Sequence, residues 1–143
     1  TGKMPRQTGP ALSDVGSHLF RRCGMKTVLV IDDEERIRNI YRGMFRTLSS
    51  RILRIYEAPN AVAATNVLIR DKVDLILLDI KMPGIDGRTM FEVIHEYSTA
   101  ANVIVASVFP IDTKKQLLPA ATDYYDKSHG PLVLLDKLTR VLL

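Results

Sequence analysis

Apolar residues recur along the chain in five short runs, and longer segments with helical spacing separate these runs. Short apolar runs bounded by turn residues predict strands that are buried on both faces of a parallel sheet. The predicted strands are Thr27–Ile31, Ile52–Ala58, Val73–Leu78, Asn102–Ser107 and Asp123–Tyr125. The predicted helices are Glu34–Leu48, Asn60–Arg70, Arg88–Tyr97, Asp112–Leu118 and Leu132–Val141.

The alternation of strand and helix predicts right-handed βαβ units, and therefore a parallel sheet with helices on both faces. Five strand–helix pairs within residues 26–143 predict one α/β domain, doubly wound in three α/β/α layers. The first helix has one apolar face and one basic face, which carries Arg36, Arg38, Arg42 and Arg46. We expect these arginines to form a solvated face rather than a phosphate site.

The amino-terminal segment differs in composition from the rest of the chain. Residues 1–25 contain Gly, Pro, Ser and Thr without periodicity, so we expect a loosely ordered tail ahead of the folded domain. The net charge of +4 resides in residues 1–26, while residues 27–143 carry 15 basic and 15 acidic side chains. The folded part therefore has no bias towards nucleic acid. The tail is interpreted either as a vector-encoded leader or as a basic segment for an anionic partner.

Hydropathy and cysteine content indicate the cellular compartment. No apolar stretch approaches the roughly 20 residues that span a bilayer, and the start lacks the apolar core of a signal peptide. The single cysteine, Cys23, cannot form an internal disulfide, which fits a reducing environment. These features predict a cytoplasmic protein without a membrane segment.

Carboxylates follow two of the predicted buried strands. Asp32 and Asp33 end the first strand, and Asp79 ends the third. Open α/β sheets bind their ligands at the carboxyl ends of the strands, so neighbouring strands would bring the three carboxylates together. Converging carboxylates suit a hard cation such as Mg²⁺, and the backbone carbonyl of Lys81 is a natural further oxygen ligand.

Four segments, taken together and in this order, resemble the receiver domain of two-component response regulators. They are Val30–Glu34 (VIDDE), Leu77–Gly87 (LLDIKMPGIDG), Ser107 and Asp123–Lys127 (DYYDK). The resemblance extends from Lys26 to the end of the chain. It implies a flavodoxin-like sheet with strand order 2-1-3-4-5, and a signalling switch rather than a metabolic enzyme.

The resemblance also implies a role for each matching residue. Asp79 is the phosphoacceptor, and Asp32 and Asp33 hold Mg²⁺ together with it. Ser107 and Lys127 contact the phosphoryl group, and Tyr124 is the switch aromatic. The implied partners are a histidine kinase or phosphotransfer protein. An output domain or a second copy would bind the face formed by the fourth helix, the fifth strand and the fifth helix.

Plainer structural roles remain open for several of these residues. Asp33 is a possible N-cap of the first helix, because Glu34 and Glu35 follow it in the first turn. Tyr124 is a possible core residue, Lys127 a possible solvated lysine and Ser107 a possible strand-end hydroxyl. We interpret Asp74 and Asp86 as structural.

The chain departs from the family pattern at three places. Ser128 follows Lys127, where the family has proline after a cis peptide bond; we expect a trans bond here, or a cis bond that the site enforces. Val108 replaces a small residue after Ser107, which predicts narrower access to the phosphoryl group. The fourth helix is short, about two turns, because Pro119 discourages its extension.

Two other functions remain as alternatives. Aspartate-nucleophile phosphatases resemble this chain in having Asp at a strand end, but they use a second Asp where this chain has Lys81. A pseudo-receiver would keep the fold without turning over phosphate. The sequence also leaves open whether this is a single-domain regulator or was cut from a longer protein.

Overall fold

The strands and helices follow the predicted alternation. The computed structural model describes residues 25–48, 53–82, 84–98, 100–108 and 111–142. The strands of the main sheet are β1 (Lys26–Ile31), β2 (Leu53–Ala58), β3 (Leu75–Asp79), β4 (Asn102–Ser107) and β5 (Asp123–Asp126). All are parallel and stand in the order β2-β1-β3-β4-β5, which confirms the predicted doubly wound topology. Of the predicted tail, only Met25 belongs to the described residues.

Within the described residues, five α-helices cover the two faces of this sheet. They are α1 (Glu35–Leu48), α2 (Ala61–Arg70), α3 (Gly87–Tyr97), α4 (Ile111–Leu117) and α5 (Pro131–Leu142). Helix α4 has seven residues, so the prediction of a short fourth helix is confirmed. No helix in the described part of the chain is both long and apolar enough to cross a membrane.

The core consists of two apolar clusters, one on each face of the sheet. Alternate residues of β1 enter different clusters: Leu29 packs on the side of α2 and α3, and Val30 packs on the side of α1 and α5. The side chains of β3 are all buried, which explains why its sequence is apolar without alternation. Burial of one large aliphatic side chain stabilises the fold by about 1.5–3 kcal/mol.

Asp74 has a structural role at the amino-terminal edge of the sheet. Its carboxylate accepts a hydrogen bond from the Thr27 N–H at 2.8 Å, and its own N–H donates to the Thr27 carbonyl at 2.8 Å. The Asp74 carbonyl accepts from the Asn102 N–H at 3.0 Å. Asp74 directly precedes the first residue of β3, Leu75, and joins the start of this strand to both of its neighbours. The predicted strand, Val73–Leu78, was wrong at both ends, since β3 starts two residues later and ends one residue later.

A small hairpin that the sequence did not predict separates β3 from α3. Lys81–Met82 pairs antiparallel with Ile85–Asp86, and Gly84 adopts a positive φ of 84° in the turn. Asp86 then caps α3, since its carboxylate accepts from the Thr89 N–H at 2.7 Å. The structural interpretation of Asp86 agrees with this contact.

The segment after β5 forms one turn of 3₁₀ helix, Lys127–His129. The peptide bonds of the described residues are all trans, including the bond between Lys127 and Ser128. The Asp126 carboxylate holds this turn, because it accepts from the Ser128 N–H at 2.9 Å and from the Ser128 hydroxyl at 2.6 Å. Lys127 thus leaves the sheet at the same edge as the acidic residues.

Candidate functional site

Three carboxylates meet at the carboxyl edge of the sheet, as the sequence predicts. Strands β1 and β3 are neighbours, and Ile31 is in register with Leu78. The residues that follow are Asp32 and Asp79, and with Asp33 they bring one carboxylate oxygen each to within 4.8 Å of the others. Asp32 is 1% exposed and Asp79 is 5% exposed, while Asp33 faces solvent. Two buried acids and one exposed acid therefore form the cluster.

The Lys127 ammonium lies between the two buried carboxylates. Its Nζ is 2.8 Å from Asp32 Oδ2 and 3.3 Å from Asp79 Oδ2, and the lysine side chain is 14% exposed. Burial alone lowers the pKa of Lys127, but the Asp32 hydrogen bond and the charges of Asp79 and Asp32 outweigh it. The pKa is therefore raised above its ordinary value, and the lysine is charged. Lys127 is not the solvated side chain that the plainer interpretation would require.

Asp79 is a poorly solvated carboxylate with a donor at each oxygen. The Lys81 N–H donates to Oδ1 at 3.0 Å, and the Lys127 ammonium faces Oδ2. Burial raises the pKa of Asp79 above its ordinary value, and this effect exceeds the lowering by Lys127 and by the Lys81 N–H. The carboxylate is held in one orientation and has lost most of its hydration, as expected for a group that receives a further ligand.

Asp32, rather than Asp33, makes the hydrogen bonds at the start of α1. Its Oδ1 accepts from the Glu34 N–H at 3.0 Å. The Glu34 carbonyl accepts the first helical hydrogen bond, from the Arg38 N–H at 3.1 Å. Glu34 therefore occupies the N-cap position. The interpretation of Asp33 as the helix cap is wrong, and its carboxylate remains available at the solvent side of the cluster.

Two arginines of α1 belong to the surroundings of this site, although the sequence predicted a solvated face. Arg38 Nη1 donates to the Asp32 carbonyl at 2.8 Å, and Arg38 Nε lies 3.7 Å from Glu57 Oε1. Arg42 donates to the same carboxylate through Nε at 2.8 Å and also through Nη2. Glu57 precedes the last residue of β2, beside β1. That neighbouring position is the signal from which this pair could have been found.

Ser107 lies at the same edge of the sheet as the acidic cluster, and Tyr124 lies in the core on one face of the sheet. Ser107 is the last residue of β4 and is buried; Asp79 is in register with Ala106, so Ser107 lies one residue further along the same edge. Tyr124 belongs to the core cluster on the side of α2 and α3, and its hydroxyl donates to the Leu118 carbonyl. In this conformation Tyr124 is therefore a core residue, as its plainer interpretation states. Val108, in contrast, is 65% exposed.

Structural comparison identifies close similarity to solved receiver proteins. The response regulator TrrA of Thermotoga maritima, solved with Mg²⁺ and BeF, superposes with a TM-score of 0.72 at 29% identity. The alignment covers 82% of this chain and all of that protein. The chemotaxis protein CheY4 of Vibrio cholerae has a TM-score of 0.74 at 23% identity, over 82% of this chain and 99% of that one. The second similarity concerns the fold alone.

Sequence comparison gives the same family. The transcriptional regulatory protein YvrH of Bacillus subtilis is 31% identical over 113 residues, which are 78% of this chain and 47% of the relative. The sensor kinase CckA of Brucella abortus is 30% identical over 99 residues, 68% of this chain and 10% of the relative. The chain thus spans less than half the length of these relatives. The family model of the response regulator receiver domain matches residues 28–139. The chain therefore belongs to the response regulator receiver domain family, whose members are switches of two-component signalling.

Proposed function

We propose that Asp79 accepts a phosphoryl group from a histidine kinase or phosphotransfer protein and that the domain relays a signal by changing conformation. The observation that carries this proposal is the placement of Asp79, which is buried beside the Lys127 ammonium and within an acidic cluster. A cation on one side and metal-binding oxygens on the other are what a carboxylate needs to approach a phosphoryl group. The domain itself would catalyse its phosphorylation and dephosphorylation. It acts as a signalling switch and not as a metabolic enzyme.

The proposed reaction transfers the phosphoryl group from nitrogen to oxygen. A carboxylate oxygen of Asp79 attacks phosphorus, a P–O bond forms, and the P–N bond of the donor phosphohistidine breaks with its electron pair remaining on the imidazole. Lys127, which now contacts Asp79, is within reach of a phosphoryl oxygen on that carboxylate. Ser107, at the end of the neighbouring strand β4, would offer its hydroxyl to another phosphoryl oxygen. Because the transition state is loose, positioning and charge are nearly all that the protein supplies.

The acidic cluster fits a magnesium ion. Mg²⁺ binds oxygens at about 2.1 Å in an octahedron, so neighbouring ligand oxygens lie about 3 Å apart and opposite ones about 4.2 Å apart. The carboxylate oxygens of Asp32, Asp33 and Asp79 lie within 4.8 Å of one another, close to this spacing. These residues and the backbone carbonyl of Lys81 would hold the ion, as the Mg²⁺ complex of TrrA suggests. A bound ion would neutralise the phosphoryl oxygens during attack.

The conformational change would involve the segment after Ser107, helix α4 and Tyr124. Helix α4 is short, and the Tyr124 hydroxyl is bonded to the carbonyl of Leu118, the residue that follows the helix. A shift of Ser107 towards a phosphoryl group would move this segment, and Tyr124 would follow. The surface formed by α4, β5 and α5 is then the place where an output domain or a second copy would recognise the phosphorylated state.

Labelling with a small phosphodonor tests the proposal. The chain is incubated with acetyl phosphate, with and without Mg²⁺, and analysed as an intact protein by mass spectrometry. We expect one phosphoryl group on the wild type only with Mg²⁺, and none on Asp79→Asn. Asp136→Asn is the matched control, because Asp136 is an exposed acid on α5. An unlabelled wild type would favour a pseudo-receiver, and equal labelling of wild type and Asp79→Asn would show that the acceptor is another residue.

A further inference from the structure

Arg38 holds the peptide unit that joins two of the acidic residues. Its Nη1 donates to the Asp32 carbonyl at 2.8 Å, and its side chain is 14% exposed. This carbonyl belongs to the peptide between Asp32 and Asp33 and lies before the first helical hydrogen bond. It therefore lacks a partner within α1. The guanidinium supplies that partner, and a hydrogen bond from a charged donor is stronger than one between neutral groups.

Strand β2 fixes Asp32 from both sides of its backbone. The Ala58 carbonyl accepts from the Asp32 N–H at 3.1 Å. The preceding residue, Glu57, faces Arg38 with an oxygen 3.7 Å from Nε and also binds Arg42. The N–H of Asp32 is thus held directly by β2, and its carbonyl is held through Arg38, which Glu57 braces.

The position of Asp33 depends on this arrangement. The side chain of Asp32 is fixed independently, since Oδ1 accepts from the Glu34 N–H at 3.0 Å and Oδ2 from Lys127 at 2.8 Å. Asp33, in contrast, is exposed, and one of its carboxylate oxygens lies within 4.8 Å of those of Asp32 and Asp79. The conformation of the backbone at Asp33 therefore determines where this carboxylate lies. Rotation of the peptide unit that joins it to Asp32 would swing this carboxylate away from the cluster.

We propose that Arg38, braced by Glu57, is a positioning residue for the metal site and sets the placement of Asp33. This inference rests on the proposed function, because it concerns the affinity of the same site for Mg²⁺. Residues that orient metal ligands without touching the metal commonly change affinity by about 10- to 100-fold when they are replaced. The interaction also explains why an arginine on the predicted solvated face is largely buried.

Arg38→Met removes the donors and keeps most of the apolar stem. We expect the dissociation constant for Mg²⁺, measured by calorimetry on the full chain, to rise about tenfold. In the metal-free protein, amide hydrogen exchange at Asp33 and Glu34 should become faster. Arg36→Met is the matched control, because Arg36 is an exposed arginine on the same helix, and it should leave both measurements unchanged.

Glu57→Gln tests the brace and remains informative if Arg38→Met does not fold. It should weaken Mg²⁺ binding less than Arg38→Met does, and the double variant should bind no more weakly than Arg38→Met alone. A merely structural role would lower the free energy of unfolding and leave Mg²⁺ affinity within twofold of wild type; that result would overturn the inference. A wild type that neither binds Mg²⁺ nor accepts phosphate would instead overturn the proposed function.

Discussion

Lys127 and Asp32, 95 residues apart in the chain, form a buried ion pair with Nζ 2.8 Å from Oδ2. The pair joins the end of β5 to the end of β1 across two intervening strands. The same ammonium lies 3.3 Å from Asp79. One cation therefore faces two buried carboxylates, which leaves a net negative charge at the site.

Removal of the Lys127 charge should destabilise the domain. In Lys127→Met the buried carboxylates of Asp32 and Asp79 lose the cation that contacts both of them, and breaking a buried pair costs about 3–5 kcal/mol. Mg²⁺ should restore part of that loss, because it neutralises the same oxygens. Urea unfolding with and without Mg²⁺ measures both effects, and Lys72→Met, at an exposed lysine, is the control. Equal stability of Lys127→Met and wild type without Mg²⁺ would contradict the ion-pair interpretation.

Asp79 should lower stability at neutral pH when no metal is bound. Burial raises the pKa of its carboxyl above the unfolded value, so the folded state favours the protonated form. Stability from this group is present at low pH and declines as pH rises through the raised pKa. Asp79→Asn should therefore raise the free energy of unfolding at pH 7 by about 1 kcal/mol, with a smaller gain near pH 4. Denaturant titrations of both proteins at pH 7 and pH 4 measure this difference in the free energy of unfolding. If Asp79→Asn gains as much stability at pH 4 as at pH 7, or more, the raised pKa of Asp79 is not the cause.

Asp33 should contribute to metal affinity and little to stability. Its carboxylate is exposed and belongs to the cluster of three acids. In Asp33→Ala we expect Mg²⁺ binding to weaken at least tenfold. The free energy of unfolding without metal should stay constant or rise, since like charges no longer crowd the site. Calorimetric titration against Glu35→Ala, at an exposed acid of the first helical turn, is the comparison; unchanged affinity in Asp33→Ala would place the metal elsewhere.

Lys114 on α4 should be a source of instability. Its ammonium is buried and is the one buried side-chain polar atom without a hydrogen-bond partner in the described part of the chain. Burial lowers its pKa. The unfolded state therefore binds the proton more tightly, and stability rises with pH between the lowered value and the ordinary lysine range. Lys114→Met should raise the free energy of unfolding at pH 7 by about 1–3 kcal/mol.

The control for this substitution is Lys115→Met, at the exposed neighbouring lysine. The advantage of Lys114→Met over wild type should be smaller at pH 10 than at pH 7, because the lowered pKa leaves more of the native lysine uncharged at the higher pH. A loss of stability in Lys114→Met at pH 7 would show that the ammonium is accommodated in the folded protein.

Val108 should slow exchange at the phosphorylated site. Two methyl groups on a stiff side chain next to Ser107 should partly cover the path that water needs for in-line attack on phosphorus. We expect Val108→Ala to lose its phosphoryl group faster than wild type, and also to gain it faster from acetyl phosphate. Lifetimes from intact-protein mass spectrometry give the answer. An equal or longer lifetime in the alanine variant would disprove shielding.

The sequence predicts those features of the site that follow from strand order. Asp32 and Asp79 end apolar runs, and parallel strands bring their carboxyl ends to one edge, so these residues were expected to meet if their strands were neighbours. The contacts of Arg38 were missed because this arginine was interpreted as part of a solvated face, although the predicted strand order already placed β2 beside β1. The hairpin after β3 escaped prediction because two-residue strands have no measurable periodicity. The alternative of Asp33 as a helix cap failed because α1 begins one residue later than the sequence suggested, with Glu34 at the N-cap position.

The three hydrogen bonds of Asp74 join three strands of the sheet at one edge. They fasten β1, β3 and β4 together at their amino ends, on the side opposite to the acidic cluster. The same strands are also paired in register as far as Leu78 and Asp79, so the sheet is hydrogen-bonded along its whole length. A phosphoryl group on Asp79 would therefore be accommodated by the loops and by α4, and the sheet would act as the fixed frame against which they move.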